Sequence, residues 1–94
     1  MKYRKKPEII EAFQYKKHMS GDNNGKMYPD WFMSAFKSGI CYYSNYGGSR
    51  YLYIKVADGE CNVPLGSYIV KNEMGELRPY RPDIFESMYE LVSD

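Results

Sequence analysis

Apolar and polar positions along the chain follow several periods, and each predicts a different element. From Ile9 to Tyr15, "IIEAFQY" alternates in its second half, with Phe13 and Tyr15 against Ala12 and Gln14. After Pro7 this reads as an opening strand with one buried face. The following "KKHMSGDNNGKM" is polar and rich in Gly and Asn, a composition that predicts a mobile connection. In "YPDWFMSAFKSG" the period changes to that of a helix, because Phe32, Ala35 and Phe36 fall at i, i+3 and i+4. Asp30 is read as the N-cap, Lys37 sits at the negative end of the dipole, and Gly39 supplies the left-handed stop. A helix this short does not persist alone, so its Phe stripe must dock on a sheet.

Alternation returns in "ICYYS" and "YLYIKV", which flank "NYGGSR" as a hairpin whose Gly47-Gly48 pair supplies positive φ. Leu52 and Ile54 then face one way, Tyr51, Tyr53 and Lys55 the other. Turns at "ADGE" and "EMGE" separate the short strands "CNVP", "SYIVKN" and "LRPY". Turn signals at this spacing predict an antiparallel meander or small barrel. Pro79 restricts "LRPY" to an edge strand, and Pro82 suits the first position of a helical turn with Asp83 beside it. "MYELV" reads as a closing strand. The expected fold is α+β: one domain over residues 1–94, built as a strongly bent antiparallel sheet or small open barrel. One short helix at about residues 30–38 packs on it, a one-turn helical corner lies near 82–87, and the terminal strands pair.

Composition changes this picture in one respect. Ninety-four residues suffice for a single core without metal or disulfide support. The 44% hydrophobic and 27% charged content is ordinary, but eleven residues are Tyr, against four Phe and one Trp. Tyr completes thin cores and also builds binding surfaces. A net charge of +1 argues against a dedicated nucleic-acid binder. The charge is polarised, with Lys2, Arg4, Lys5, Lys6, Lys16 and Lys17 near the start and Asp83, Glu86, Glu90 and Asp94 near the end. Neutralisation between adjacent ends is the simpler reading of this, and a basic arm for nucleic acid the sharper one. Cys41 and Cys61 form no C-x-x-C pair and the chain begins with charge, so reduced thiols in a cytoplasm are expected. No run reaches the roughly 20 apolar residues that span a bilayer.

Candidate chemistry is sparse. His18, in the polar connection, has no local Cys or Ser partner, and the two cysteines lack metal-ligand spacing, so no catalytic residue, metal or cofactor is expected. The paired acids Glu8/Glu11 and Asp58/Glu60 have no pocket to act in. "GGSRY" lacks the ending of a phosphate loop and reads as a hairpin tip. Two surface constellations remain. The first is Tyr42, Tyr43, Tyr46, Arg50, Tyr51 and Tyr53, able to stack bases with Arg on phosphate or to form a protein hot spot. Its bland alternative is cross-strand Tyr pairing within a hairpin. The second is Arg78, Tyr80 and Arg81, where Arg78 and Tyr80 share a strand face and Arg81 either reaches outward or pairs with Asp83. Trp31, beside the helix's apolar face, is a further anchor for a protein partner.

The two ends carry a resemblance. "MKYRKKPEIIEAFQY" and "SYIVKNEMGELRPYRPDIFESMYELV" resemble a family of small uncharacterised bacteriophage and prophage proteins. That family opens with M-K-Y-R-K-K-P, aliphatics and E-A, and closes with P-G-D-Y/W-I-I, a basic residue and G-x-x-G-E-x-x-P-C-K-P-D-I-F-x-x-x-Y-E. Tyr68 to Lys71 match its strand, Gly75 and Glu76 its turn, and Pro79, Pro82, Asp83, Ile84, Phe85, Tyr89 and Glu90 its corner. Leu65-Gly66-Ser67 departs from P-G-D, Asn72 stands for a glycine, and Tyr80-Arg81 replaces Cys-Lys, so any role of that Cys is absent. The middle, roughly Lys17 to Leu65, does not align. The resemblance implies a phage context in a bacterial cytoplasm. With the lack of catalytic constellations, it sets the expectation of a non-enzymatic protein that inhibits a host process, such as a defence system, by stoichiometric binding to a host protein. Sequestration of a nucleotide-type signal and a structural or assembly role are the alternatives. No membrane partner is expected, and the Tyr-rich faces and strand edges allow a homodimer.

Overall fold

The computed structural model describes residues 1–4, 9–17 and 28–90. Its strands are β1 (Glu11–Gln14), β2 (Cys41–Tyr46), β3 (Ser49–Val56), β4 (Gly59–Val63), β5 (Tyr68–Lys71) and β6 (Leu77–Tyr80). Helix α1 (Asp30–Ser38) precedes β2, and α2 (Pro82–Met88) follows β6. All pairings are antiparallel, in two three-stranded sheets of order β1-β5-β6 and β2-β3-β4. The α+β class and antiparallel pairing agree with the sequence reading. The architecture is two sheets rather than one, and neither closes into a barrel.

Short strands explain the division. β1, β5 and β6 have four residues each, enough for one pair of inward side chains and no more. The β2–β3 hairpin is longer, and its two-residue Gly47-Gly48 turn has φ of 60° and 82°. Positive φ at both central positions is the I′ geometry that matches the twist of flanking strands. Inward side chains of both sheets meet in one cluster of Tyr15, Phe32, Ala35, Cys41, Leu52, Ile54, Val63, Ile69 and Leu77.

Helix α1 bridges the two sheets. Its buried residues are Phe32 and Ala35, as the spacing requires. Phe32 meets Phe13 of β1 edge to face at 4.9 Å, while Phe36 lies 5.2 Å from Tyr43 of β2. Pro29, not Asp30, occupies the N-cap, and its carbonyl accepts the Phe32 N–H. Asp30 is the first helical residue, where its charge faces the positive end of the dipole. Gly39 ends the helix with φ 84° and donates its N–H to the Phe36 carbonyl.

On the opposite face of the β1-β5-β6 sheet lies α2. Phe85 stacks on Tyr68 at 4.0 Å and 10°, and Tyr89 meets Tyr80 at 6.4 Å. Pro82 takes the first helical position, as expected, but the helix continues through Met88. Tyr89 and Glu90 are not strand, which corrects the start of the expected closing strand; Leu91 onward lies outside the described residues. Among the described residues β1 and β6 both pair with β5 and flank it, and the expected pairing of β1 with the closing strand falls largely on residues outside those described. Hence the segments that carry the family resemblance assemble into one sheet with its helix. The unaligned middle supplies α1 and the β2-β3-β4 sheet. His18 and nearly all of the expected mobile connection lie outside the described residues, as do Lys5, Lys6, Glu8 and Asp94. The Tyr28 hydroxyl closes the two ends of that connection, donating to the Lys17 carbonyl at 2.6 Å and accepting the Lys17 N–H at 3.1 Å.

The β5–β6 hairpin depends on Asn72. Its Oδ1 accepts the N–H groups of Met74 and Glu76 at 3.0 and 2.9 Å, and its Nδ2 donates to Glu76 Oε1 at 3.0 Å. This is an Asx turn, in which a side chain substitutes for a missing backbone acceptor. Asn72→Ala removes all three bonds at a partly exposed site, so a loss of about 1–2 kcal/mol in denaturant unfolding is expected. Asn72→Asp, which keeps the double acceptor, should recover part of it.

Candidate functional site: a tyrosine face opposite the core

Strand alternation divides the first constellation between two faces. Residues paired across antiparallel strands project to the same side. Cys41, Tyr43 and Asn45 stand opposite Ile54, Leu52 and Arg50, on the core side. Tyr42, Ser44 and Tyr46 stand opposite Tyr53, Tyr51 and Ser49, on the outer side. Arg50 therefore does not join the outer tyrosines. Its guanidinium lies 5.0 Å over the Tyr43 ring, at the end of the core.

Tyr43 in turn shares a 2.7 Å hydroxyl–hydroxyl hydrogen bond with Tyr15, which is fully buried. Burial raises the Tyr15 pKa well above its ordinary value, and the hydrogen bond with Tyr43 adds to the rise. Cys41 beside them is 1% exposed, and burial pushes its thiol up to about 12. A thiol so protonated is a small apolar filler rather than a nucleophile.

On the outer face Tyr42 and Tyr53 stack at 5.5 Å and 19°, and Lys55 places its ammonium 5.7 Å over Tyr42. Tyr46 is 80% exposed and Tyr51 38%. Asn62 and Glu60 of β4 stand opposite Tyr53 and Lys55 and complete the face. Four tyrosines, one amide and a Lys/Glu pair of positions thus share one face, which no described helix or strand packs against. Glu60 and Asn62 were absent from the sequence candidates, because β4 joins the face only through its register with β3, whereas alternation had already put Lys55 on the side of Tyr51 and Tyr53.

The second constellation also divides. Arg78 and Tyr80 lie on the side of the sheet that carries α2, across from Val70 and Tyr68. Both line a cleft of about 200 Å³ with Ile10, Val70, Met88 and Tyr89. Arg81 lies past the bend, where its Nη2 pairs with Asp83 Oδ2 at 3.3 Å. Both partners are mostly exposed, so the pair fixes a rotamer more than it stabilises the fold. Trp31 is half-buried, 5.4 Å from Phe13, and lines a different cleft with Ser34, Ala35, Ser38, Ile40, Lys71 and Leu77.

Of the clefts at the Arg78–Tyr80 face and beside α1, none is lined by more than one arginine. The described residues also hold no cluster of three or more His, Cys, Asp or Glu, and no helix among them is long and apolar enough to cross a membrane. What the surface offers is stacking area, hydroxyls and one cation over a ring. Comparison of the chain with protein-family models, with curated proteins and with solved structures gave no match.

Proposed function

We propose that this chain is a non-enzymatic binding protein that docks on a host protein through the outer face of the β2-β3-β4 sheet. The observation that carries this reading is the shared face of Tyr42, Tyr46, Tyr51 and Tyr53, turned away from the core, which no described helix or strand packs against. Tyr is among the residues that dominate interface energetics, because its ring is large, has few rotamers and keeps a polar tip. The resemblance of the chain's two ends to bacteriophage and prophage proteins supports a host process, such as a defence system, as the one it inhibits. That the face belongs to the segment outside the resemblance suits a target particular to this protein.

Sequestration of a nucleotide-type signal is the weaker reading. Clefts that hold small molecules run to roughly 300–1,000 Å³. The Arg78–Tyr80 cleft is smaller, at about 200 Å³, and brings a single arginine.

The experiment is affinity purification of the tagged chain from phage-infected bacteria, beside a Tyr46→Ser/Tyr51→Ser variant. Both side chains are exposed, so the variant should keep the wild-type thermal midpoint. A host protein in one-to-one ratio with the wild type, and at least about 30-fold weaker with the variant, is the expected result; that is one hot spot of about 2 kcal/mol. Equal recovery by the variant would exclude the tyrosine face. A phosphorylated small molecule released only on denaturation would replace the proposal with sequestration.

A further inference from the structure

On a different part of the surface, an apolar groove runs between α1 and the β5–β6 hairpin. It consists of two adjoining clefts. One, of about 240 Å³, is walled by the α1 residues Trp31, Ser34, Ala35 and Ser38 and closed by Ile40, Lys71 and Leu77. The other, of about 280 Å³, continues past Ile40 and Leu77 to Val56, Met74 and Arg78. Trp31, Ser34, Ala35 and Ser38 recur at i, i+3, i+4 and i+7, so they form one stripe of the helix. Its small members, Ser34, Ala35 and Ser38, leave the space that the cleft occupies. Ile40 is 42% exposed and Met74 84% exposed beside it.

Size and charge select the occupant. Each cleft falls below the roughly 300–1,000 Å³ of a small-molecule pocket, and the two are separated by a waist at Ile40 and Leu77. That geometry accepts successive side chains of an extended segment better than one compact ligand. Lys71 borders the first cleft from the core side, while the single ion pair among the described residues joins Arg81 to Asp83 elsewhere; Lys55 and Arg78, at the rim of the second cleft, project to the outer face and the α2 face. Glu76, also on the second cleft, already accepts the Asn72 amide. Lys71 is thus left to meet an incoming anion. Trp, Met and Arg are also residue types enriched where proteins meet.

We infer that this groove docks a short acidic segment of a partner protein, with bulky apolar side chains entering the clefts and carboxylates meeting Lys71. The site shares only Lys55 with the tyrosine face and stands whether or not that face binds a host protein.

The test presents the immobilised full chain with a random heptapeptide library. Peptides with Leu, Ile, Phe or Trp flanked by Asp or Glu should be enriched. The most enriched peptide, titrated in solution, should shift the emission of Trp31, which is the only tryptophan in the chain. Ile40→Glu, at an exposed position, should weaken that peptide at least tenfold, and Lys71→Glu should turn the library's preference from acidic to basic flanks. Tyr46→Ser/Tyr51→Ser should bind it as the wild type does. Absence of enrichment, enrichment without an acidic bias, or binding unchanged by Ile40→Glu would each overturn the inference.

Discussion

Phe32→Ala is expected to be the most destabilising single truncation in α1, at about 3–5 kcal/mol, lowering the thermal midpoint by on the order of 20 °C. Phe32 has no exposed surface. Its ring meets those of Phe13, Tyr15, Tyr28 and Phe36 at 4.9, 6.0, 5.5 and 5.1 Å, all four edge to face, with Tyr28 and Phe36 at 85°. Those neighbours come from the opening strand, the segment before α1 and α1 itself, so the cavity left by truncation touches everything that holds the helix in place. The neighbours are themselves large and mutually wedged, which limits collapse into the gap. Against a total stability of about 5–15 kcal/mol, the loss is a large fraction. Thermal unfolding followed by circular dichroism reads it, with Phe36→Ala as the comparison. Phe36 is only half-buried and should cost less. A midpoint lowered by less than about 5 °C would show that α1 is held chiefly by something other than this ring.

Alkaline unfolding should show the second large effect. The Cys41 thiol is raised by burial from an ordinary 9.0 to about 12, and Tyr15 is raised above its ordinary 10.0 by burial and by the Tyr43 hydroxyl. Both folded-state values are raised, so the folded protein retains protons that the unfolded chain releases. Their contribution is complete below pH 9 and is lost as pH rises. Each group costs roughly 1.4 kcal/mol per pH unit within its window. Cys41 alone acts between pH 9 and 10. Above pH 10 Tyr15 joins it, doubling the slope, and by pH 12 Cys41 has removed about 4 kcal/mol. Urea midpoints measured from pH 8 to 11 should therefore bend downward at 9 and again at 10. Cys41→Ala should lose the first bend and Tyr15→Phe the second. A wild-type profile flat to pH 10 would show that the thiol titrates freely.

Much of the local structure was legible in the residues. The i, i+3, i+4 spacing of Phe32, Ala35 and Phe36 placed α1 and its buried side, since a helix turns by a fixed angle per residue. Alternation in "YLYIKV" separated Leu52 and Ile54 from Tyr51, Tyr53 and Lys55 for the same kind of reason, and Gly47-Gly48 located the turn. Pro79 marked an edge strand and Arg81 met Asp83. The candidate surface was less legible. Tyr43 and Arg50 are neighbours of Tyr42 and Tyr51 in the chain but project to the opposite side of the sheet. Listing them together ignored the period of two. The groove between α1 and the β5–β6 hairpin had no sequence signal, because Trp31, Lys71 and Leu77 are brought together only by long-range packing.

By itself, then, the sequence determined the kind and place of most elements: the helix at 30–38, the hairpin at Gly47-Gly48, the turns, the proline-limited edge and the identity of the inward side chains. These follow from backbone sterics and periodicity, which act over a few residues. Only the tertiary structure decided that the strands divide into two sheets, that β1 pairs with β5, and that α2 covers the second face of that sheet. It also decided which tyrosines remain outside. Those choices depend on burying apolar area between segments distant in the chain. That energy depends on the total area removed from water and on shape, and no local pattern encodes it.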